Sequence, residues 1–159
     1  MHFPEPQTDH LWLHQLVGEW STESECIMGP DQPNMHVTGS EVVRSFGKLW
    51  IIGEGTGDPQ GGACDSIMTL GYDPRIKRFV GSFIASVMTH LWTYNGSLDA
   101  SGRILTLDTE GPSYSGDGTM AKYQDIIEMI TQDHRTLTSR MQSTDGSWHQ
   151  FMKAHYRRK

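Results

Sequence analysis

A carboxylate, an imidazole and a phenol offer the most usable proton chemistry in this sequence: Glu54, His90 and Tyr123, with Arg44 and Gln124 as candidate neighbours. A carboxyl and an imidazole within hydrogen-bond reach in a dry pocket shift each other's proton affinity and can act as general acid and base. The same groups can equally do no more than satisfy one another. No nucleophile elbow, phosphate-cradling glycine loop or metal triad accompanies them. Gly57 to Gly62 is glycine-rich, but it joins two strands instead of opening a helix and reads as a turn or a lid. His10 and His14 stand four apart, the spacing that places two rings on one helical face where they can chelate a divalent metal. With no glutamate beside His10 and no third ligand nearby, a solvent-facing pair is preferred and no metal is assigned.

Short strands must position these groups. Alternating runs separated by turn signals predict about ten strands: 18–28, 36–46, 49–56, 65–72, 78–86, 90–98, 104–110, 119–130, 136–143 and 148–158. Glycines and prolines fall between the runs, as frequent reversals require. Ahead of them, Thr8 and Asp9 offer caps, and Trp12, Leu13 and Leu16 are spaced for one helical face, which predicts a short helix over 8–16. The expected fold is an all-β, antiparallel up-and-down barrel over 17–158, led by that helix, in a single domain of 159 residues.

Strand parity selects the inner faces. Trp20, Thr22, Ser24, Cys26 and Met28 share one face of the first strand, opposite Glu19, Ser21, Glu23 and Glu25. Leu137, Ser139 and Met141 point inward in the ninth strand, and Trp148, Met152, Ala154 and Tyr156 in the last. The third and sixth strands are ambiguous; placing their aromatic faces inward puts Trp50, Glu54, His90, Trp92 and Tyr94 in the lumen. A cup lined by Trp, Tyr and Met with a few polar groups among them is a ligand cavity rather than a filled core.

The net charge of -6 excludes nucleic acid and anionic membrane as main partners, since both demand clustered positive charge. No apolar stretch reaches membrane-spanning length and the N-terminus lacks the order of a signal peptide, so the expected compartment is the cytoplasm. Cys26 and Cys64 have no metal-knuckle spacing and read as free thiols.

Gly18-x-Trp20 on the first strand, with Arg158 near the end of the last, is similar to the calycin signature of lipocalins and fatty-acid-binding proteins. Together with Leu16-Val17-Gly18-Glu19-Trp20, Gly39-Ser40-Glu41, Gly71-Tyr72-Asp73-Pro74, Gly96-Ser97-Leu98-Asp99, Asp145-Gly146 and Tyr156-x-Arg158, the whole chain resembles a bacterial family of calycin-like proteins of unknown function. That resemblance implies a ten-stranded antiparallel barrel, with Trp20 and Arg158 as a structural latch at its base, and brings no activity. Where members carry an aspartate after the aromatic of the middle strand, this chain has Ile84-Ala85 after Phe83. More distantly it resembles nitrobindins, which hold haem through a late-strand histidine. His149 and His155 are then the candidates, but their parity opposes the apolar face of the last strand, and the longer glycine series of that group is absent after Trp20.

The reading preferred from sequence is a barrel that binds a small, mainly apolar ligand. Trp50, Tyr72, Phe83, Trp92, Tyr94, Tyr123 and Met141 form its wall, and Glu54 or His90 orients the ligand. An enzyme using a Glu54/His90 pair and a haem protein are the alternatives; otherwise no cofactor is expected. A homodimer is open, formed where an exposed strand edge in a gaping barrel pairs across a two-fold axis.

Overall fold

A computed structural model describes residues 1–58 and 62–159. One helix, α1 (Thr8–His14), precedes ten strands: β1 (Gly18–Cys26), β2 (Met35–Phe46), β3 (Trp50–Gly57), β4 (Cys64–Asp73), β5 (Arg78–Ala85), β6 (Trp92–Leu98), β7 (Ile104–Pro112), β8 (Met120–Thr131), β9 (His134–Gln142) and β10 (Trp148–Arg158). All neighbours are antiparallel and the sheet closes as β1-β10-β9-β8-β7-β6-β5-β4-β3-β2. Closure removes the gaping edge considered above, because β1 bonds to β2 on one side and to β10 on the other. Gly57 to Gly62 falls partly outside the described residues.

The barrel has a packed end and a looser one. At the packed end the inward side chains of Trp20, Val43, Ile51, Leu70, Phe79, Leu105, Leu107 and Ile127 are buried, and α1 lays Leu13 and Leu16 across them. The helix is shorter than expected. Its N-terminus is held by His10, whose Nδ1 accepts the Gln7 N–H at 2.9 Å, and Trp12 Nε1 donates to the Gly102 carbonyl at 2.6 Å. Gly18 is required here: its φ is +140°, and a Cβ would run into the guanidinium of Arg158.

Alternation gives most strands a clear inner and outer face, and β10 shows where the pattern breaks. Gln150 pairs with Arg140 and Met152 with Ser139, so Phe151 is an extra residue in a bulge. The bulge reverses parity on its two sides. Met152, Ala154 and Tyr156 face inward, whereas Trp148 lies on the outer face under the guanidinium of Arg140, at 5.0 Å, and not in the lumen as parity alone suggests.

Candidate functional site

The looser end is where the inner face stays partly exposed. Thr22, Ser24, Cys26, Ser66, Met68, Phe83, Trp92, Met141 and Met152 all point inward by register yet are only half-buried. The two walls differ. On β2 and β3 the inward positions toward this end are Val37, Gly39, Gly53, Gly55 and Gly57, so this wall is rich in glycine, with Glu41 and Ser66 reaching in front of Gly53 and Gly55. Across the barrel stand Trp92, Tyr123 and Phe151, with Trp92 to Tyr123 centroids at 5.0 Å and Tyr123 to Phe151 at 6.0 Å. Because inward residues at this end keep accessible surface, space remains between the glycine-rich wall and the aromatic one.

Asp125 sits at the floor of that hollow. It shares an inner face with Tyr123, Ile127 and Met129 on β8. Ser139 Oγ donates to its Oδ1 at 2.6 Å and Tyr94 Oη donates to its Oδ2. Asp125 and Tyr156 face inward by register and still keep accessible surface. Burial pushes the Asp125 carboxyl above its ordinary range, against the two hydroxyl donors that pull it down. Burial and the Asp125 charge together raise the Tyr94 phenol.

Below Asp125 lies a second charged group, already paired with an opposite charge. Arg135, 4% exposed, pairs with Glu41 at 2.5 Å, its guanidinium 3.9 Å from the Tyr156 ring centroid and 4.7 Å from that of Trp20. Arg158 covers the other side of Trp20 at 4.2 Å and donates to the Val17 and Gln15 carbonyls at 2.8 and 3.0 Å. Three buried polar atoms have no partner among the described residues: Trp92 Nε1, Thr109 Oγ1 and Arg135 Nε. Thr109 lies on the inner face of β7, opposite Tyr123.

The structure does not assemble Glu54, His90 and Tyr123. Glu54 is on the outer face, 3.8 Å from Arg44 and largely exposed. Trp50 is outside too, its ring lying over Gly71, while Ile51 and Gly53 turn inward in its place. His90 precedes β6; its ring packs edge-on against Trp92, and its Nε2 meets the Glu110 carbonyl at 2.9 Å. Gln124 lies outside, bonded to Asp108 and Arg140. Of the expected wall, Phe83, Trp92, Tyr94, Tyr123 and Met141 face the lumen, whereas Tyr72 belongs to the packed end, 5.0 Å from Phe79.

The histidines are dispersed. His10 is 3% exposed, not solvent-facing, and its Nε2 meets the Tyr72 carbonyl at 3.0 Å, while His14 Nε2 meets that of Lys48 at 2.9 Å. Each ring therefore serves a different backbone carbonyl. His155 is on the outer face with its Nδ1 2.9 Å from His134 Nε2, whereas the bulge corrects the parity expected for His149, which pairs with the inward Met141 yet is exposed, its Nε2 3.0 Å from Ser147 Oγ. Both cysteines are free. Two shallow outer depressions, of about 390 Å³ beside Trp50 and His10 and about 540 Å³ beside Trp148 and Lys122, gather mostly partly exposed or exposed groups.

The residues that matter most at the floor, Asp125, Arg135 and Glu41, were not singled out from sequence. Their signal was parity: Asp125 alternates with Tyr123 and Ile127, Glu41 with Val43, and Arg135 with Leu137.

Similar folds occur among solved structures. The crystal structure of Rv2717c from M. tuberculosis matches 98% of this chain and 99% of its own, with 12% identity and a TM-score of 0.64. Two redesigned β-barrels bound to DFHBI, EF1p2_mFAP2b and mFAP0, match 94% and 91% of the chain, each at 12% identity and a TM-score of 0.50. Among curated proteins nothing matches the sequence. A family model described as "Protein of unknown function (DUF1579)" matches residues 5–158. With nearly all of the barrel inside that match, the chain belongs to the DUF1579 family.

Proposed function

We propose that this protein is a calycin-like cytoplasmic container that takes a small, mainly apolar molecule into its barrel through the end opposite α1. The observation that carries this reading is Asp125, a carboxyl on the inner face of the barrel that keeps accessible surface. The glycine wall supplies room, the aromatic and thioether wall supplies apolar contact, and Asp125 with Tyr94 and Ser139 supplies orientation. Exposed apolar side chains edge the mouth, among them Ile27, Met28, Val87, Leu91 and Tyr114, and would ease the passage of an apolar guest. The DFHBI held by two barrels of similar fold supports the same use.

Diphenylhexatriene, which fluoresces only in apolar surroundings, tests the reading. Saturable binding that quenches tryptophan emission is expected. The inward, half-buried Ser66 stands against Gly55, and Ser66→Phe would fill the hollow and weaken binding at least about tenfold while the fold persists. No rise in fluorescence, or a rise indifferent to Ser66→Phe, would remove the lumen as the binding site.

A further inference from the structure

We propose that the guest is a cation: a ring-bearing apolar body ending in an ammonium or amidinium group that rests against Asp125. This deepens the container reading and rests on it. The charges at the floor decide the sign. Glu41 and Arg135 offset each other, and the Arg135 guanidinium is buried against the rings of Trp20 and Tyr156. Among the described residues Asp125 has no positive partner, only two neutral hydroxyl donors. A desolvated carboxylate whose proton affinity is already raised gains most from a cation. An anion would meet that carboxylate, and the one unpartnered N–H of Arg135 belongs to a guanidinium whose charge Glu41 already offsets. The rings of Trp92 and Tyr123 on the aromatic wall suit a cationic body through their quadrupoles. A second observation points to a polar atom elsewhere on the guest: the Thr109 hydroxyl, 8% exposed and inward, and the buried Trp92 indole N–H both lack partners among the described residues.

Three probes on one skeleton separate this inference from the reading beneath it: neutral diphenylhexatriene, its trimethylammonium derivative and its propionic acid derivative. The cation is expected to bind about tenfold tighter than the neutral parent and the acid more weakly still. Asp125→Asn should bring the affinities of cation and parent together. Tyr94→Phe keeps the charge and should keep the preference. If the parent binds but the cation is no tighter, or its advantage survives Asp125→Asn, the cation proposal fails and the container stands. If none of the three binds, both fail. Should Asp125→Asn not fold, the order of the three probes on the native chain still decides.

A different observation carries a second proposal, about the outside of the barrel. Along β2 to β5 the outer face reads Phe46-Trp50-Gly71-Val80 in one cross-strand row and Val42-Glu54-Ile67-Ile84 in another. Val42, Phe46, Trp50, Ile67 and Ile84 are each at least 40% exposed, whereas the outer positions of β1 are acidic and those of β6 and β7 mostly polar. We infer that a second copy of this chain covers this face. The only charges in the two rows and the row between them are Arg44 and Glu54, side by side and 3.8 Å apart. A two-fold axis between them sets each against its opposite on the partner, so the patch complements itself. Sedimentation should show a dimer that Ile67→Lys dissociates. Arg44→Glu should do the same, and Arg44→Glu with Glu54→Arg should restore it. A monomer throughout the concentration series, or a dimer indifferent to Ile67→Lys, overturns the proposal.

Discussion

Arg158 gathers three parts of the chain at one point. Its guanidinium stacks on Trp20, donates to the Val17 and Gln15 carbonyls at the end of α1, and reaches Gln132 and Asp133 in the turn between β8 and β9. Charge-assisted bonds to backbone oxygens and a cation over indole each contribute on the order of 1 kcal/mol or more. Arg158→Ala should therefore cost about 2–3 kcal/mol in urea denaturation, and Arg158→Lys should recover less than half, because an ammonium cannot fork between carbonyls. The Trp20 and Arg158 pairing could be suspected from their types and positions. Asp125 was equally available, since it alternates with Tyr123 and Ile127, but a carboxylate in a strand is most often solvated and draws no attention. Glu54 was placed on the wrong side for a specific reason. On β3 both faces are apolar, Trp50 and Ile52 outside and Ile51 inside, so alternation carries no sign there. The same exposed patch that invites a second copy is what hides the inner face from sequence.

Strands and turns were the most legible level, with boundaries mostly within two residues, because alternation and turn chemistry agree along the chain. The exceptions are physical. β6 starts at Trp92 because residues 86–91 form the connection into it, and Trp148 faces out because one bulged residue shifts parity without altering the residue pattern. The turns also set the acid limit of the fold. Asp73, Asp117 and Asp145 each accept the backbone N–H of the residue two further on, and Asp99 accepts from Arg103 and Ile104. Side-chain bonds from Arg75, Thr119, Ser147 and Ser101 first, and these backbone bonds with them, hold all four carboxyls below their ordinary value of 3.8. A carboxyl depressed in the native state stabilises above its unfolded pKa, and that contribution is lost as pH falls through the native one. Asp125 runs the other way: raised by burial, it costs stability at neutral pH, and the cost disappears as it takes up a proton. Urea titrations of the native chain and Asp125→Asn should thus show the native chain gaining on the variant between neutral pH and about pH 4. Below about pH 4 both should lose stability together. A constant difference across the series would remove the carboxyl from the interior.

At the scale of the whole molecule, the closed barrel was readable from strand number and turn spacing, whereas its asymmetry between a plugged end and an open one was not. That asymmetry depends on which glycines fall on the same side of adjacent strands, a matter of register that turn lengths alone leave open. Among the described residues no helix is long and apolar enough to cross a membrane.

The bond between β1 and β10 has a further consequence. During synthesis the first strand must wait, one flank bare, until the eleven residues of the last one leave the ribosome, so every earlier intermediate carries two sticky borders. The acidic row Glu19, Glu23 and Glu25 beside that waiting flank repels its counterpart on a neighbouring nascent chain, and thereby guards the cylinder while it is still a ribbon.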